Sequence, residues 1–129
     1  MKKRPVISCA SLTTMLLLLT FLAVGTLAPA PAGAHPPQEM KIAYNWTDQS
    51  VEVTITHSTP SPRFHYINKV EIKKNSVALS SGKYDSQPAG TFTYNYKVSA
   101  TAGDKLEVTA TCNIFGRKTA AITVSGTTK

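Results

Sequence analysis

The sequence predicts an all-β fold, an immunoglobulin-like sandwich of seven antiparallel strands. Three observations lead there. Apolar and polar residues alternate with period two through most of the chain beyond Pro37. Turn-forming residues interrupt that alternation at regular intervals. No segment repeats with the helical period of about 3.6 residues. Short, evenly spaced strands of this kind in a chain of this length are the mark of the sandwich class.

The elements follow in order. Met40–Asn45 opens the series as a weak strand. Val51, Val53, Ile55 and His57 then share one face, with Glu52, Thr54 and Thr56 on the other, the pattern of a half-buried strand. In His65–Lys73 the apolar parity slips between Ile67 and Val70, which predicts a β-bulge. Val77–Ser80 is short. Phe92, Tyr94, Tyr96 and Val98 oppose Thr91, Thr93, Asn95 and Lys97, and Leu106, Val108, Ala110 and Cys112 oppose Glu107, Thr109 and Thr111. Thr119–Val124 closes the series. Turns are expected at Thr47–Ser50, Lys74–Ser76, Gln87–Gly90 and Ala102–Asp104, where Gly, Pro, Asn and Asp gather.

Residues 1–34 read as a secretory leader. Lys2, Lys3 and Arg4 form its basic start, Met15–Val24 its apolar centre, and Ala32-Gly33-Ala34 a small-x-small cleavage signal. The apolar run falls short of the roughly 20 residues of a membrane span, so no stable anchor is expected. Cys9 precedes that run, whereas a lipidated cysteine would follow it. A cut after Ala34 leaves 95 residues, enough for one small domain, in the periplasm or outside the cell. Of the fourteen basic residues three leave with the leader, and the eleven that remain against seven acids give +4. The lysines are scattered along strands rather than clustered with aromatics, which argues against nucleic acid as a partner.

The chemistry lies in few residues. Without the leader the chain keeps one cysteine, Cys112, and a single thiol forms no internal disulfide. Strand parity places His57 and Cys112 inward at strand ends. His65 follows a loop stiffened by Pro60 and Pro62 that can return the chain towards His57. Imidazoles and a thiolate from separate strands are the ligand set of a soft metal site. Trp46, Phe64, Tyr66 and Phe115 are expected to fill the core rather than to wall the site. Asp48, Asp85 and Asp104 sit in turns, where Asp belongs for local hydrogen bonding.

The order His57…His65-Tyr66-Ile67…Val70-Glu71-Ile72, then Cys112-Asn113-Ile114-Phe115-Gly116, resembles the iron domain of superoxide reductases and desulfoferrodoxins. The resemblance runs from about Ile42 to Lys118. It implies the seven-stranded sandwich of that family and a ferrous iron with four equatorial histidines and an axial cysteine. The activity it implies is reduction of superoxide at an open position, with electrons from a donor the sequence does not name. By position, His57 and His65 would be equatorial ligands and Cys112 the axial thiolate. The chain departs from the family at Phe115, where a histidine ligand is expected, and in a longer loop between the two histidines. It also has no counterpart of the family's E-K-H-V-P segment.

His35, the remaining histidine, becomes the first residue if the cut follows Ala34, and its α-amino group and imidazole could then chelate together. That would shift the metal from iron towards copper, with zinc as a further choice. Two other readings stand beside the iron reading. One is a periplasmic copper or zinc binder using His35. The other is a non-catalytic carrier or interaction module, like the sulfur-oxidation carriers built on a similar sandwich. A homo-oligomer is left open.

Overall fold

A computed structural model describes residues 34–126. The leader expected over residues 1–34, with Cys9, falls outside the described residues except for Ala34. Among the described residues no helix is long and apolar enough to cross a membrane. The strands are β1 (Glu39–Asn45), β2 (Ser50–Thr56), β3 (Ile67–Lys74), β4 (Val77–Lys83), β5 (Thr91–Lys97), β6 (Lys105–Cys112) and β7 (Arg117–Thr123). They form a three-stranded sheet, β1-β2-β5, and a four-stranded sheet, β4-β3-β6-β7, with every pairing antiparallel. This is the immunoglobulin-like arrangement that the alternation predicts.

The core lies between the sheets, where the inner strands meet. Val51, Val53 and Ile55 of β2, Val70 and Ile72 of β3, and Leu106, Val108 and Ala110 of β6 are all fully buried. Their outward neighbours make cross-strand pairs. Thr54 and Thr56 of β2 bond Thr93 and Thr91 of β5 at 2.9 and 3.1 Å, and Thr109 bonds Thr119 at 2.8 Å. The β3–β6 register shifts between Ile67 and Lys69, at the place where the parity slips. A second shift, between Ile72 and Lys73 against β4, has no counterpart in the parity of the sequence.

β4 is an edge strand with little buried surface, and Val77 and Leu79 are exposed. Trp46 meets the expectation of core packing, edge-on to Tyr44 with ring centroids 5.1 Å apart. Phe64 and Phe115 do not. They are 79% and 66% exposed, because each sits in a loop beyond the last inward-facing position of its strand.

Tyr44 ties β1 to the turn after β5. Its hydroxyl donates to the Val98 carbonyl at 3.0 Å and accepts the Ala100 N–H at 3.1 Å. Tyr44→Phe removes both bonds and leaves the Ala100 donor without a partner. The expected cost is about 1–2 kcal/mol, read as a lower urea midpoint with an unchanged slope.

Candidate metal centre

The centre is built from the end of β2, the loop before β3 and the segment before β1. His57 directly follows β2 and extends its pairing, with its N–H donating to the Gly90 carbonyl at 2.7 Å. It keeps the inward parity of Val51, Val53 and Ile55 and is fully buried. His65 lies in the loop ahead of β3, not within the strand as expected. A tight turn holds it there, its N–H donating to the Ser61 carbonyl at 2.8 Å, and its ring is buried. His35 comes in along β1. Gln38 steers that segment: its N–H donates to Thr56 O at 2.8 Å, and its side-chain oxygen accepts the Ser58 N–H at 2.8 Å.

These elements bring the three imidazoles together. Ring centroids are 4.7 Å apart for His57–His65, 5.0 Å for His35–His57 and 5.2 Å for His35–His65. One nitrogen from each ring lies within 4.8 Å of the other two. Cys112 stands outside that group. It ends β6 opposite Ile67 and is buried, and its sulfur accepts the Ile114 N–H at 3.5 Å.

The Cys112 loop is nonetheless tied to the other parts of the centre. The Asn113 side chain accepts the Tyr66 N–H at 2.9 Å and donates to the Phe64 carbonyl at 2.9 Å, which fixes it to the His65 loop. At Gly116 φ is +89°, and a Cβ there would lie 3.0 Å from the Pro36 nitrogen. Only glycine lets this loop lie so close to the residue after His35.

Gln87 holds His57. Its side-chain nitrogen donates to the carbonyls of His57 (2.6 Å) and Ala89 (2.8 Å), so its oxygen is the end that faces His57 Nδ1, at 2.7 Å. Nδ1 therefore carries a proton, and Nε2 is the nitrogen turned towards His35. A histidine whose outer nitrogen donates to a fixed acceptor is the usual preparation of a metal ligand. Sequence reasoning missed this buried residue, since Gln87 reads only as part of a turn.

The hydrogen-bond inventory is short of donors. A neutral imidazole has one N–H. With that of His57 committed to Gln87, its Nε2 lone pair faces the His35 carbonyl oxygen at 3.2 Å. The His35 ring has carbonyl oxygens at both nitrogens, Pro36 O at 3.0 Å and Ser58 O at 3.1 Å, and a neutral ring bonds only one of them. Nε2 of His65 is buried without a partner. A cation that accepts imidazole nitrogen would relieve this surplus of lone pairs, so the residues present fit a metal of the imidazole-binding class.

Burial holds the His65 imidazole below its ordinary value of 6.5, reinforced by repulsion from His57 and His35, while the His35 main chain works against the shift. The neutral, metal-ready form is thus favoured. As pH falls below about 6.5 the unfolded chain takes up this proton before the folded chain does, so stability present above that value is lost on acidification. The metal-free domain should therefore show a lower urea midpoint at pH 5 than at pH 7.5, and a His65→Gln variant should show a smaller difference.

No protein-family model matches the chain, and no curated protein matches it. Solved structures do. The superoxide reductase (neelaredoxin) of Ignicoccus hospitalis aligns at 19% identity over 72% of this chain and 81% of that one, with a TM-score of 0.44. A single-residue variant of it aligns at 20% identity, over 74% and 83% of the two chains, with a TM-score of 0.46. A hypothetical protein of Pyrococcus horikoshii aligns at 18% identity, over 73% and 94%, also at 0.46.

Proposed function

We propose that this chain is an exported, mononuclear metal-binding protein whose ion is held by His57, His65 and His35 at one end of the sandwich. The observation that carries the reading is the cluster itself. Its three imidazole nitrogens lie within 4.8 Å of one another, with lone pairs that lack donors. Gln87 orients one ring, burial keeps another neutral, and none of the grouped ligands is a carboxylate. Such a set suits iron, copper or zinc rather than magnesium or calcium.

The finer reading follows the motif resemblance. There the ion is iron, Cys112 supplies the thiolate, and a small oxidant such as superoxide is reduced with electrons from a separate donor. Two features of the chain support that role for the thiol. The sulfur accepts the Ile114 N–H, which orients it, and Asn113 fixes the Cys112 loop to the loop that carries His65. Phe115 contributes nothing, being exposed where the family places a ligand. When bound, the metal would supply the electron-transfer chemistry, and the protein's part is to bring the imidazoles together and orient them.

The test is to load the domain with ferrous iron, oxidise it, and compare wild type with Cys112→Ser. A sulfur-to-metal charge-transfer band that disappears in the variant, together with consumption of superoxide, is expected if Cys112 binds iron. Identical spectra in the two proteins would remove Cys112 from the ligand set and leave an all-imidazole centre.

A further inference from the structure

The main chain of His35 lies inside the cluster, along with its ring. The His35 carbonyl oxygen is 3.2 Å from Nε2 of His57, and the His35 ring lies 5.2 Å from that of His65. Residue 35 also follows the Ala32-Gly33-Ala34 cleavage signal directly. We propose that removal of the leader creates a metal ligand. Hydrolysis of the Ala34–His35 peptide bond consumes one water, leaves a carboxylate on Ala34, and frees the α-amino group of His35 within the imidazole cluster.

This inference rests on the metal-centre reading and sharpens it. An uncut peptide nitrogen has no lone pair to give, because its electrons are delocalised into the amide. Once freed from the amide, the α-amino nitrogen has a lone pair of its own to give to a metal. The His35 ring can join the same chelate. In the tautomer that donates Nε2–H to the Ser58 carbonyl at 3.1 Å, Nδ1 has the lone pair, and it would exchange its neighbour, the Pro36 carbonyl at 3.0 Å, for the ion. The amine and Nδ1 of one residue then bind together, and His57 and His65 complete an all-nitrogen set. Such a set favours copper over iron in the general affinity order. Leader removal therefore completes the centre, so that the precursor does not hold copper as tightly as the mature protein does.

The experiment compares two proteins, residues 35–129 with His35 as the free first residue and residues 34–129 with Ala34 retained and its α-amino group acetylated. Both keep every residue of the core, which runs from Met40 to Val124. Each is titrated with Cu(II) against a competing chelator, and the nitrogen ligands are counted by electron paramagnetic resonance. The 35–129 protein should bind about 100-fold more tightly or better, since the tethered amine acts intramolecularly, and should show one more nitrogen.

Equal affinities, with both proteins binding, would overturn the inference and leave the three-imidazole centre standing. Failure of both to bind any of copper, iron or zinc would remove the centre as well. A His57→Ala form of 35–129 should bind far more weakly. If it bound as tightly as the parent, the terminus alone would be the site, and the inference would fall. Mass spectrometry of exported protein should find His35 first, and any other first residue would also overturn it.

Discussion

Ile72→Ala should lower the stability of the domain by about 2–5 kcal/mol, a large share of the roughly 5–15 kcal/mol that small domains possess. Ile72 is fully buried on β3, opposite Val108 of β6 and Ser80 of β4. It belongs to the buried core cluster, together with Val51, Val53 and Ile55 of β2. Truncation leaves a cavity that the paired strands on both sides cannot close, so the lost transfer energy and the cavity cost add. Ile72 is also five residues along β3 from Ile67, about 16 Å at the rise of a strand, and further still from His65. The folded fraction should therefore keep its metal stoichiometry while the urea midpoint falls. A loss below about 1 kcal/mol would contradict the close packing described here.

Gln87→Leu should weaken metal binding by roughly 10–100-fold, although Gln87 is not itself a ligand. The substitution removes the acceptor that keeps the His57 proton on Nδ1, and it deprives the His57 and Ala89 carbonyls of a donor. The metal-free protein should lose about 1–3 kcal/mol, since these groups are left buried and unpaired. Gln87→Glu separates orientation from general damage. A carboxylate still accepts the His57 Nδ1–H but cannot donate to the two carbonyls, so this variant should keep more affinity than Gln87→Leu at a similar cost in stability. Equal affinity losses in the two variants would show that the role of Gln87 is only to hold the loop.

The strands were legible because most of them bury a single face. Val51, Val53 and Ile55, or Leu106, Val108 and Ala110, alternate as a half-buried strand must, and the slip after Ile67 marked a real change of register. β4 was the weakest to read, since its apolar Val77 and Leu79 face solvent at an edge and so carry no core signal. Within the site, the inward parity of His57 and Cys112 could be followed to the strand ends.

What could not be followed was contact over long sequence distance. His35 reaches the cluster through the pairing of β1 with β2 and the anchoring by Gln38, 22 residues from His57. Gln87 reaches His57 across 30 residues, from a turn that resembles any other turn. Phe64 and Phe115 misled for the opposite reason. Their hydrophobicity suggested the core, but the loops that hold them project past it.

The central claim is that three histidines form one metal centre. Elemental analysis after exposure to ferrous iron, copper and zinc, on wild type and on His57→Ala, tests it most directly. One ion bound per wild-type chain, and loss of that ion in a His57→Ala variant that still folds, is the result expected from the cluster. No retained metal in the wild type, or the same retention in both proteins, would contradict it and leave the sandwich as a carrier or interaction module.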